Sequence, residues 1–122
     1  MATFFVVLIG LSCLILVHEL GHFAVARLLG MRVDEFGIGF PPRLFSKLWG
    51  ETRYSVNAVP LGGFVKLHGE LDDAGARSFI AYAAWQRAAV IGAGVAMNFI
   101  AGWFIFSAVL WMGAPPIVAV VA

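Results

Sequence analysis

His18-Glu19-Leu20-Gly21-His22 lies inside the apolar run Phe4 to Gly30, and this stretch decides the fold. The fourteen residues from Phe4 to Val17 carry no charge, and Phe23 to Gly30 carry only Arg27. Histidines four positions apart share one helix face, one turn from each other, so both imidazoles reach one metal ion. Glu19 follows the first histidine directly and points off the ligand axis, where it takes a proton from water activated by the metal. Two histidines and a carboxylate are costly in hydrocarbon, and such groups are kept there for function. The plainer alternative is a pair of histidines making hydrogen bonds between helices.

Composition fixes the class. Of 122 residues, 61% are hydrophobic and 12% charged, whereas a soluble domain is about 25% charged. Mean hydropathy is +0.93. The chain reads as an integral membrane protein, mainly α. Its net charge of +1 gives no basis for a nucleic-acid partner. A single cysteine, Cys13, rules out an internal disulfide. Five residues before His18, it is off the ligand face and reads as a packing residue.

Residues 3–29 are long enough for one transmembrane helix. A cleaved signal peptide is the competing reading, but no basic residue precedes Phe4 and a discarded leader has no use for the histidine motif. Residues 31–77 form a more polar connection with a small β element. Val33 to Phe40 alternates imperfectly until Pro41-Pro42 breaks it. Tyr54 to Val59 alternates with a period near two, and Pro60-Leu61-Gly62-Gly63 is a turn signal, so a hairpin is expected over Tyr54–Leu67. Leu71 to Ala76 reads as a loose loop. A second helix is expected over 79–112, with its apolar run at 88–112 flanked by Trp85 and Trp111 at the interfaces. Gly94, Asn98 and Gly102 recur every four residues as a close-packing stripe with a polar centre. Pro115-Pro116 ends this helix, and 113–122 forms a tail.

Arg32, Arg43, Lys47, Arg53, Lys66, Arg77 and Arg87 all lie between the two spans. This asymmetry predicts a cytoplasmic loop over 31–87 and both termini outside, in a multi-pass protein of the cell (inner) membrane. At 1.5 Å per residue, His18 to His22 lie ~10–17 Å from the helix end near Leu29, and Asn98 lies ~15 Å from the helix start near Ala88. The Asn98 amide is therefore level with the histidines. It serves either as an interhelical hydrogen bond or as a donor to a substrate carbonyl or its oxyanion.

The chain resembles the site-2 proteases, the intramembrane zinc metalloproteases, over nearly its whole length. The resemblance is carried by His18-Glu19-Leu20-Gly21-His22, by Phe36-Gly37-Ile38-Gly39-Phe40, by Pro60-Leu61-Gly62-Gly63-Phe64-Val65-Lys66, and by Gly94-Val95-Ala96-Met97-Asn98-Phe99. It implies Zn²⁺ held by His18 and His22, Glu19 as catalytic base, and substrate contacts at Asn98, Gly62 and Gly63. It also implies a membrane-associated β-hairpin that pairs with an unwound transmembrane segment of a substrate protein.

Val95 stands where the family often has proline. The family's third zinc ligand, an aspartate of a leucine-aspartate-glycine motif in a later helix, has no counterpart among these residues. Asp34, Asp72, Asp73 and His68 are expected not to be ligands. The sequence thus reads as the amino-terminal part of an intramembrane protease, inactive alone and completed by carboxy-terminal helices of the same or a separate chain. The alternative is a non-catalytic membrane module that binds a metal or a partner helix.

Overall fold

The computed structural model describes residues 1–70, 75 and 77–113. Most of the loop expected over Leu71–Ala76, and the expected tail beyond Gly113, lie outside the described residues. Helix α1 spans Ala2–Leu28, strands β1 and β2 span Val33–Trp49 and Thr52–Leu67, a 3₁₀ turn spans Phe79–Ala81, and helix α2 spans Ala84–Trp111.

Helix α1 ends where Gly30 adopts a φ of +83°. The Gly30 N–H donates to the Arg27 carbonyl and the Met31 N–H to the Ala26 carbonyl. This closing motif turns the chain back, and the contact that accompanies it joins Met31 to Ala26, both buried. Helix α2 starts five residues later than the expected bound at residue 79. Ala83 is extended, and its N–H donates to the Gln86 side chain at 3.0 Å, so the helix begins at Ala84.

Both helices are long and apolar enough to cross a membrane. Their most apolar windows have mean hydropathies of 2.2 and 1.9, and only 6% and 17% of those windows are buried. A core helix of a water-soluble domain would be covered. These helices instead expose Phe4, Val6, Ile9, Phe99, Trp103 and Phe104. Cys13 is exposed too, not packed inside the chain as expected.

The hairpin is real, but it turns elsewhere. Trp49 pairs with Thr52, leaving Gly50-Glu51 as a two-residue loop with Gly50 at a φ of +65°, the left-handed backbone such loops require. Pro60 to Gly63 lies inside β2 and does not join a hairpin, but the strand folds back there: Tyr54 to Val56 run parallel to Phe36 to Ile38, whereas Gly63 to Val65 run antiparallel to them. Nor does Pro41-Pro42 end the first strand: β1 continues through it and the pairing register slips there. Both prolines are exposed, where a missing N–H donor is tolerated. The two long antiparallel strands fold over so that Phe36 has partners on both sides, Tyr54 and Val65.

A small core of Ala26, Met31, Val33 and Val90 sits where α1 ends, β1 begins and α2 begins, with Phe23, Val65, Leu67, Phe79 and Tyr82 packed around it. Buried Thr52 ties these elements together: its hydroxyl donates to the Val33 carbonyl at 2.8 Å and accepts from Arg27 at 3.3 Å. At the hairpin tip, Arg77 bonds both carboxylate oxygens of Glu51 at 2.7 and 2.6 Å. Those hydrogen bonds hold the Glu51 carboxyl below its usual range and push the Arg77 guanidinium up.

Candidate metal centre

Helix α1 meets α2 through glycines. A Cβ on Gly21 would lie 2.5 Å from the Ala93 carbonyl oxygen and 2.7 Å from Cγ of Met97. Gly21 is thus a point of close approach, within the histidine motif itself. Helix α2 answers with Gly94, where a Cβ would stand 2.7 Å from Nε2 of His18 and 2.7 Å from Cε1 of His22. The two imidazoles occupy the space that any other residue at position 94 would fill.

His18, Glu19 and His22 come together as the spacing predicted, each offering a ligand atom within 4.8 Å of the others. All three are partly buried. The imidazole rings are edge-on, 4.5 Å apart at 85°. The Nδ1–H of His22 donates to the Val90 carbonyl at 2.6 Å. A carbonyl only accepts, so the proton of the neutral ring is on Nδ1 and Nε2 keeps its lone pair for a ligand. Asn98 is at the depth expected for it. Its amide nitrogen lies 3.3 Å from Nδ1 of His18, while its oxygen is buried without a hydrogen-bond partner. The space at Gly94 and the Val90 carbonyl on Nδ1 of His22 suit a divalent cation on Nε2 of His22.

Gly62 and Gly63 are buried against α1. A Cβ on Gly62 would lie 2.6 Å from Cγ2 of Ile15, and one on Gly63 would lie 2.6 Å from Cδ2 of Leu16 and 2.5 Å from the Gly37 carbonyl oxygen. They let β2 press on α1 less than one turn before His18. Two clefts flank the motif. One, of about 340 Å³, runs between α1 and the hairpin, lined by Leu20, Phe23, Phe36, Ile38, Phe45 and Tyr54. The other, of about 260 Å³, opens beside Glu19 and His22 toward Glu70 and Phe79.

Of the other candidate ligands, Asp34 and His68 are engaged with each other, and Asp72 and Asp73 lie outside the described residues. Asp34 accepts from Nδ1 of His68 at 3.1 Å and lies 3.4 Å from Arg32. Among the described residues, His18, Glu19 and His22 form the only cluster of metal-binding side chains. Two contributors were missed in the sequence. Gly94 stood in a recognised stripe but was read as helix packing, although it is on the same face as Asn98. Val90 acts through its backbone carbonyl, which no side-chain pattern reveals.

Residues 6–120 match peptidase family M50. A protein provisionally named a zinc metalloprotease in Clostridium perfringens is 50% identical over 100 residues, covering 81% of this chain and 30% of its own length. The zinc metalloprotease Rip1 of Mycobacterium tuberculosis is 48% identical over 101 residues, covering 76% of this chain and 25% of its own. A Vibrio cholerae relative, also provisionally named a zinc metalloprotease, is 37% identical over 124 residues, 97% of this chain and 27% of its own length. The chain thus spans under a third of these relatives. With the family match covering nearly every residue around the histidine site, this chain belongs to peptidase family M50, the site-2 protease family.

Proposed function

We propose that this chain is the amino-terminal part of an intramembrane zinc metalloendopeptidase that cleaves transmembrane segments of other proteins. The observation that carries the reading is the convergence of His18, Glu19 and His22 on a helix fit to cross a membrane. The relatives' names supply the metal as zinc. A bound zinc ion supplies Lewis acidity toward a peptide carbonyl and lowers the pKa of water toward ~7.

His18 and His22 hold the ion through Nε2. Glu19 is the general base: it takes the proton of the attacking water and delivers it to the leaving nitrogen. Catalytic zinc sites take three protein ligands. We assign the third to a carboxylate in a part of the protein outside these 122 residues. Gly62 and Gly63 bring the backbone of β2 against α1 beside the site, and a sheet edge there pairs with an unwound substrate by strand addition. The apolar cleft between α1 and the hairpin receives substrate side chains.

The placement in the membrane follows from charge and exposure. Six basic residues between the helices, and Arg87 in the first turn of α2, support a cytoplasmic hairpin with both termini outside. The tip exposes Leu44, Phe45, Leu48 and Trp49, an apolar and aromatic surface suited to the bilayer interface.

The test is cleavage of a transmembrane reporter by the full-length protein in liposomes, with zinc content measured alongside. Glu19→Gln keeps zinc and loses ~100- to 10,000-fold in rate, whereas His18→Ala loses both. Cleavage at the wild-type rate by Glu19→Gln would refute the assignment of the base. Zinc binding without cleavage by the full-length protein would favour a non-catalytic metal-binding module.

A further inference from the structure

We propose that Asn98 is a positioning residue for the metal: turned by half a turn at its amide, it accepts a hydrogen bond from Nδ1–H of His18 and so fixes the tautomer that presents Nε2. The inference rests on the zinc reading above and adds to it a specific role for helix α2.

A neutral imidazole carries one N–H, and the partner of one ring nitrogen decides whether the other is free to bind a metal. For His22 the matter is settled by the Val90 carbonyl. His18 differs. An amide nitrogen faces its Nδ1 at 3.3 Å, and an NH₂ group can only donate. His18 Nδ1 is then the acceptor, and the ring proton sits on Nε2. That tautomer has no lone pair on Nε2 to give a metal.

The other end of the same amide shows a mismatch. Oδ1 of Asn98 is buried and has no hydrogen-bond partner. One half-turn of the amide exchanges its oxygen and nitrogen within nearly the same envelope, because the two groups are close to equal in size. The oxygen then faces His18 and accepts from Nδ1–H, and Nε2 is released as a ligand. The orphaned acceptor becomes the group that the metal-binding tautomer requires. Both imidazoles of α1 are then held from α2, His22 by a main-chain carbonyl and His18 by a side-chain one. The spacing Gly94–Asn98 places the glycine that admits the rings and the amide that orients one of them on the same helix face.

The experiment uses the full-length protein in detergent, with zinc affinity measured by chelator competition. Asn98→Leu, which has no acceptor, is expected to lose ~10- to 100-fold in zinc affinity, and Asn98→Asp, which keeps one, to stay within ~3-fold of wild type. Nitrogen-15 NMR of histidine-labelled, zinc-loaded wild-type protein reports the tautomer without any substitution at position 98. A protonated Nδ1 on His18 is expected. An unprotonated Nδ1, or unchanged zinc affinity in Asn98→Leu, overturns the proposal and leaves Asn98 as interhelical packing or a substrate contact. If His18→Ala also leaves zinc affinity unchanged, the zinc reading itself fails, and the positioning role with it.

Discussion

Gly94 of helix α2 and His18 of helix α1 leave no room for a methyl group between them: a Cβ on Gly94 would stand 2.7 Å from Nε2 and Cε1 of the imidazole. The nitrogen proposed to bind zinc thus owes its position to an absent side chain on another helix.

Gly94→Ala should therefore act like the loss of a ligand. The added methyl has to displace His18, His22 or the whole of α2, and overpacking of this kind costs about 1–3 kcal/mol. Zinc content of the purified full-length protein should fall sharply, although every ligand is still present. Gly102→Ala is the control, since a Cβ there meets nothing within 4 Å, and it should leave zinc content at the wild-type level.

Gly63→Ala should lift β2 off α1. The new methyl meets the Gly37 carbonyl oxygen at 2.5 Å and Leu16 at 2.6 Å. Leu16 can change rotamer, but the Gly37 carbonyl is backbone of the paired strand and has to shift. Expected are a lower unfolding midpoint, equivalent to about 1–3 kcal/mol, and slower cleavage of a transmembrane reporter, with zinc content unchanged. A wild-type midpoint and rate would show that the close approach of the hairpin to α1 is dispensable.

The histidine site was legible because helical periodicity leaves little choice: residues 18 and 22 must share a face, and a rise of 1.5 Å per residue put Asn98 at their level. The hairpin was misread for an equally physical reason. Pro60-Leu61-Gly62-Gly63 carries the residues of a turn, and β2 does fold back there with Gly62 at a φ of +69°, but the segments on either side pair with β1, not with each other, and Ile15 and Leu16 press on the two glycines. Gly50-Glu51, flanked by Trp49 and Thr52, offered a weaker local signal and is the loop that joins the two paired strands. Position 94 was visible as a glycine, yet only the packed helices show that its missing side chain is space for two imidazoles.

The Glu51–Arg77 pair should make the hairpin tip pH-sensitive in one direction. Glu51 is held below the ordinary carboxylate range by its hydrogen bonds to Arg77. The contribution of the pair is therefore present above that range, near pH 4.3 and upward, and is lost as pH falls through the depressed value. Amide exchange at Gly50 to Arg53 should be faster in Glu51→Gln than in wild type at neutral pH, and the difference should vanish in strong acid. High salt should shrink it as well, because the pair is exposed.

Residues 1–122 expressed alone should bind zinc more weakly than the full-length protein and should not hydrolyse a transmembrane reporter. Two imidazoles leave the proposed ligand set incomplete, and a ~1 Å misplacement of the attacking water can cost ~100-fold in rate. Adding the remaining helices as a second chain should restore cleavage. Robust zinc-dependent cleavage by the short chain would show that a group within it, or a second copy of it, completes the site.

The most direct test of the central claim is X-ray absorption at the zinc edge of the purified full-length protein. The account predicts two imidazole nitrogens at ~2.0–2.1 Å, with oxygen donors completing the shell. Each of His18→Ala and His22→Ala should remove one of those imidazoles or abolish binding. A sulfur-rich shell, or two imidazoles that persist in both variants, would contradict it.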